Sequence, residues 1–125
     1  MRALVLNSDL HISDAELPSP EPLEGHVVVR VGAAGVCHHD ALIMAGILSR
    51  GIRFPLVLGH EAYGTVEALG PGVAESWLGA RVTFLPALLG HVVDGCFAEL
   101  VGVPVTSLVR VPPEVPDETA AVLAC

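Results

Sequence analysis

The chain contains no lysine. Its positive charge rests on six arginines set against 14 acidic residues, for a net charge of −8. Nucleic acids and anionic membrane surfaces select for clustered positive charge, so neither is expected as a partner. Cysteine is scarce too: three residues, an odd number, with no CxxC. That argues against a disulfide framework and leaves the thiols free, buried or bound to metal. No stretch approaches the roughly 20 uninterrupted apolar residues of a membrane helix. The opening apolar stretch, Met1 to Leu6, is too short for a signal peptide and runs directly into Asn7-Ser8-Asp9. A cytoplasmic protein is the expectation. GxGxxG and P-loop motifs are missing, which leaves these 125 residues without a nucleotide-binding domain. Internal repeats and low-complexity segments are absent as well.

Hydrophobic residues make up 52% of the chain and charged residues 16%, a balance too apolar for disorder. At 125 residues, positions 1–125 are read as one domain with its own core. Thirteen glycines and ten prolines punctuate short, valine-rich alternations. This pattern predicts a mainly β domain with two short helices.

In chain order, 2–6 and 9–16 read as strands, and Pro18, Pro20 and Pro22 as a stiff extended connection. Residues 25–36 form the strongest strand, with Val27, Val29 and Val31 on one face and Val28 and Arg30 on the other. A short helix is expected over 40–45, stopped at Gly46. Strands follow over 62–69, 81–85, 97–103 and 107–111, with a turn at Gly70-Pro71-Gly72 and a loop over 88–95. Asp117-Glu118-Thr119 opens a second helix with acids in its first turn. Residues 119–125 remain helix-compatible, so the chain is expected to be part of a larger catalytic unit. Met44 and Leu42 fit either a pocket or the core, and Trp77 fits core packing. His11, His26 and His91 read as surface histidines.

Chemistry concentrates at Gly59-His60-Glu61, where an apolar run meets a glycine-rich strand. Cys37, His60 and Cys125, with Glu61 or water, form a candidate zinc shell. Thiolate and imidazole are preferred zinc donors, and three protein ligands with an open position are the catalytic pattern. The dispersed ligands favour a catalytic metal over a structural one, but spacing leaves Cys96 and Cys125 both open as the second thiolate.

Gly35-Val36-Cys37-His38-His39-Asp40, Gly59-His60-Glu61, Gly64-Thr65-Val66, Gly70-Pro71-Gly72-Val73, Gly79-Ala80-Arg81-Val82, Asp94-Gly95-Cys96-Phe97-Ala98-Glu99 and the segment Val111 to Cys125 occur in one order. Together they resemble the zinc-dependent alcohol dehydrogenases of the medium-chain dehydrogenase/reductase superfamily, along essentially the whole chain. The resemblance implies a GroES-like, partly open β-barrel catalytic domain, incomplete relative to the full one. It implies one catalytic zinc held by Cys37, His60 and Cys125, with Glu61 as a neighbouring acid and Asp40 orienting the His60 ring. His38 falls near the pyrophosphate of NAD or NADP, which is bound mainly by a Rossmann domain outside this chain. The implied substrate is a small alcohol or carbonyl compound, its oxygen polarised by zinc for hydride transfer. A homo-oligomer is compatible with this reading.

The chain departs from the family pattern in places. His39 stands where many relatives carry a Ser or Thr that touches the substrate oxygen, so any proton relay there would run through an imidazole. Ala80 replaces a common Asp. No four-cysteine lobe lies between Val82 and Asp94, so no structural zinc is expected. Cys96, at a usual glycine position, reads as a small hydrophobe. Two further readings stand beside the first. Val105 to Pro112, taken with His39, is similar to the acryloyl-CoA reductase branch, which reduces activated alkenes. A stand-alone, non-catalytic GroES-like module is the other.

Overall fold

A computed structural model describes all 125 residues, Met1–Cys125. Eight strands fall into two open sheets. The smaller has the order β2-β1-β4, from β1 (Arg2–Leu6), β2 (Ile12–Glu16) and β4 (Leu56–Val57). The larger has the order β7-β3-β5-β6-β8, from β3 (His26–Ala34), β5 (Ala62–Leu69), β6 (Arg81–Phe84), β7 (Leu100–Pro104) and β8 (Leu108–Arg110). Every pairing within these sheets is antiparallel. Two short helices complete the chain, α1 (His38–Met44) and α2 (Asp117–Ala120). This is the expected mainly β, partly open architecture.

Residues 97–99 join the two sheets. Leu4 N–H donates to Phe97 O at 2.8 Å, Glu99 N–H to Arg2 O at 3.0 Å, and Val31 N–H to Glu99 O at 3.0 Å. Regular pairing of the predicted 97–103 strand therefore begins only at Leu100, because the preceding residues serve as this seam. Buried side chains form one large cluster, containing Val27, Val29, Val66, Val82 and Phe84, and two small ones centred on Leu6 and Val5. Phe97 packs against all three.

Several boundaries differ from the sequence reading. β2 starts at Ile12 because Leu10 takes a positive φ of 64° and Leu10 N–H closes a turn onto Asn7 O. The two-residue β4 was not visible in the sequence; it pairs Leu56 with Leu6 and Val57 with Val5. Val28 is buried while Arg30, placed on the same face, is exposed, and a register shift falls between Val28 and Val29 in the pairing with β5. Such a bulge bends the strand and breaks the simple alternation. Ile43, not Met44, is the side chain of α1 that enters the core. Trp77 is half-buried against the large cluster, with the Arg110 guanidinium over its ring at 4.4 Å.

Candidate metal centre

Helix α1 begins two residues earlier than expected, and the reason lies in the site itself. Cys37 is its N-cap. The Cys37 sulfur accepts the His39 N–H at 3.2 Å, and Oδ2 of Asp40 accepts the Cys37 N–H at 3.0 Å. This is a capping box with a thiol in place of the usual hydroxyl. The first turn thereby fixes Cys37 and Asp40 together.

His60 arrives on the turn between β4 and β5. Gly59 ahead of it has φ of +92°, and a Cβ there would lie 2.5 Å from the Phe97 ring. Only glycine meets both demands. The His60 Nδ1 then faces Asp40 Oδ1 at 3.4 Å, with both residues buried. Neither atom has a hydrogen-bond partner. Asp40 thus spends one oxygen on the helix cap and aims the other at the His60 ring.

Cys125 comes from the far end of the chain. α2 stops at Ala120, and Val122 N–H turns back to Thr119 O, so the predicted helical run to Cys125 does not form. Ala120 and Ala121 are buried, and α2 rests on β3 and β5. Arg81 clasps the approach to α2. It donates to Pro112 O, Val115 O and Asp117 Oδ1, each at 2.6 Å.

These three elements bring Cys37, His60 and Cys125 together. Cys37 Sγ lies 3.3 Å from His60 Nε2, Cys125 Sγ 3.5 Å from His60 Nε2, and the two sulfurs are 3.3 Å apart. The usual zinc bond lengths in a tetrahedron separate such donors by about 3.5–3.8 Å. An opening of a few tenths of an ångström would therefore admit the ion. The hydrogen bond to Cys37 is the main cause that pushes the Cys125 thiol up to about 11, with Glu61 and Asp40 adding to it.

Glu61 is buried beside this group, and its Oε2 has no hydrogen-bond partner. A Cβ on Gly35 would sit 2.8 Å from the Glu61 carboxylate, so the glycine makes its room. Burying a carboxylate without a partner is costly. Two thiols, an imidazole and an unpaired buried acid together complement a dication, and on that ground the residues fit zinc.

Cys96 is elsewhere. It belongs to the large core cluster, donates to Glu61 O at 3.4 Å, and burial pushes its thiol up to about 12. Of the two cysteines that spacing left open, Cys125 is the one that lies beside Cys37 and His60. His38 is exposed on the first turn of α1, apart from the donor group.

His39 lies at the mouth, its ring centroid 5.1 Å from that of His60 in an edge-on arrangement. Burial, followed by the nearby His60 and His91 imidazoles, holds its pKa below the ordinary 6.5. His91, expected at the surface without a partner, instead places Nδ1 3.0 Å from His39 Nε2. No spacing rule would have found this pair, since 52 residues separate its members. His39, His60, Leu88, His91, Val92 and Cys125 help line a cleft of about 460 Å³, a size suited to a small molecule.

Residues 23–113 match the alcohol dehydrogenase GroES-like domain. The chain is 33% identical to acryloyl-coenzyme A reductase of Sulfurisphaera tokodaii, over 88% of this chain and 39% of that protein. It is 31% identical to an alcohol dehydrogenase of Geobacillus stearothermophilus, again over 88% and 39%. A short chain alcohol dehydrogenase from Escherichia coli CFT073, solved with the cofactor NADH, superposes with a TM-score of 0.87. It shares 30% identity, over 97% of this chain and 41% of that one. The chain thus spans about two fifths of the length of these relatives. By sequence and by fold, it belongs to the alcohol dehydrogenase GroES-like domain family of the medium-chain dehydrogenase/reductase superfamily.

Proposed function

We propose that residues 1–125 are the zinc-binding catalytic domain of an NAD(P)-dependent alcohol dehydrogenase-type oxidoreductase whose cofactor domain lies outside this chain. The observation that carries this reading is the donor group Cys37–His60–Cys125, with its ligand atoms all within 4.8 Å of one another. When bound, zinc supplies Lewis acidity at the substrate oxygen, and the nicotinamide accepts the hydride.

The chain's own residues supply the rest. Asp40 Oδ1 faces His60 Nδ1 and favours the proton on that nitrogen, which leaves Nε2 free to coordinate. Glu61 adds negative charge behind the donors. The cleft is of a size to admit a small alcohol or carbonyl compound. His39, at its mouth, is the residue placed to exchange the hydroxyl proton. His38, exposed on α1, is available to a cofactor phosphate. No helix is long and apolar enough to cross a membrane, and a cytoplasmic location fits this chemistry.

A second reading, reduction of an enoyl thioester, is favoured by the match to acryloyl-coenzyme A reductase. The first test is metal analysis of the purified chain. One zinc per chain is expected, falling well below one in Cys37→Ser and Cys125→Ser and unchanged in Cys96→Ser. Zinc that survives both ligand substitutions would defeat the assignment. Assays of simple alcohols beside enoyl thioesters, with the chain joined to its cofactor domain, then separate the two readings.

A further inference from the structure

The histidine pair at the cleft mouth has a direction. His91 Nε2 lies 2.8 Å from Arg50 O. A carbonyl oxygen can only accept, so His91 must carry its proton on Nε2. In the neutral ring this leaves Nδ1 bare. That bare nitrogen faces His39 Nε2 at 3.0 Å, so His39 Nε2 must be the donor. The remaining nitrogen of His39, Nδ1, is not engaged by His91.

The loop between β6 and β7 is built to hold this arrangement. Ala87 and Leu88 adopt consecutive positive φ values of 45° and 68°, which are unfavourable for residues with a side chain. Leu88 O accepts from the amides of His91, Val92 and Val93 at 3.1–3.3 Å, and Leu89 is anchored in the large core cluster. Backbone held in such a conformation persists only where its surroundings fix it. Here it turns His91 towards His39.

We propose that His91 is a positioning residue that locks His39 in the Nε2–H tautomer, so that Nδ1 is the single acceptor His39 offers to a ligand in the cleft. The function this gives His39 rests on the alcohol dehydrogenase reading: the site would receive a substrate hydroxyl as a donor. A Ser or Thr in the same place could both donate and accept. With Nε2–H engaged by His91, the nitrogen His39 has left for a ligand can only accept.

Nitrogen-15 NMR of the histidine side chains tests the lock directly, on the metal-free chain and without any turnover. The measurement belongs near pH 8, above the ordinary imidazole range of about 6.5. His39 is expected with its proton on Nε2 and with a scalar coupling across the N–H···N bond to His91. In His91→Leu the coupling vanishes and His39 becomes a mixture of tautomers. In His91→Asn, whose side-chain oxygen can still accept from His39, the Nε2–H form returns. A proton on Nδ1 of His39 in the unsubstituted chain would overturn the proposal even if neither variant folded. An unchanged Nε2–H tautomer in folded His91→Leu would overturn it equally. Zinc content, measured separately, decides the metal-centre reading, so the two can fail independently.

Discussion

Asp40 and His39 are near neighbours on one turn of α1 with opposite environments. Asp40 is fully buried and serves two groups, the Cys37 amide and the His60 ring. His39 is only half-buried, between two other imidazoles. Its lowered pKa makes a stability prediction whose sign can be worked out. Above the ordinary 6.5 the ring is neutral in both folded and unfolded chains and contributes no pH dependence. As pH falls through 6.5, the unfolded chain takes up the proton first, because the folded pKa lies lower. Stability is therefore lost on acidification, until the folded ring also protonates. Urea denaturation of the metal-free chain near pH 8 and near pH 5 should show the loss, and His39→Gln should reduce it. An equal loss in the variant would assign it to other groups.

At the level of elements, the site is made by three termini: the start of α1, the turn into β5, and the segment after α2. Two are tied down by short-range devices, the thiol cap and the positive-φ glycine. The third is held by long-range contacts, the packing of α2 on β3 and β5 and the Arg81 clasp on the segment before it. Arg81 on β6 holds the 112–117 segment through two carbonyls and Asp117, while its guanidinium also lies over the Tyr63 ring at 4.6 Å. Hydrogen bonds to a charged donor are stronger than neutral ones. Arg81→Met should therefore lower the denaturation midpoint and weaken zinc binding in competition with a chelator. Because Cys37 and His60 do not depend on this clasp, a two-ligand site should persist and bind more weakly. Zinc affinity equal to that of the unsubstituted chain would show that Cys125 is held without Arg81.

Across the whole molecule, cohesion runs through Phe97. The two sheets share no regular ladder, and the seam at 97–99 carries the one aromatic ring that packs on all three clusters. The same ring closes over Gly59, directly before His60. Phe97→Ala should cost about 3 kcal/mol of stability, in the range of large aromatic deletions. It should also weaken zinc binding, because the turn that presents His60 loses its cover. A destabilised variant with unchanged zinc affinity would separate the two effects. Zinc should in turn stabilise the chain by about 2.7 kcal/mol when present at 100 times its dissociation constant.

Much of this was legible from the order of residues alone. Valine-rich alternation between glycines and prolines marked the strands, because the period of two is a local property of extended chain. The segments around Cys37, His60 and Cys125 carried the family resemblance. The seam at 97–99 and the two-residue β4 were not legible, since short pairings are chosen by distant partners rather than by their own composition. Cys96 and Cys125 could not be told apart by spacing; burial in the core separated them. His91 gave no signal at all. Its role depends on a strained loop placing it 3.0 Å from a histidine 52 residues away. Sequence by itself determined which donors and which longer strands this domain possesses, because both follow from residue type and local period. Only the tertiary structure decided which donors meet and which nitrogen of His39 faces its partner, because those depend on distances that the chain closes across its whole length.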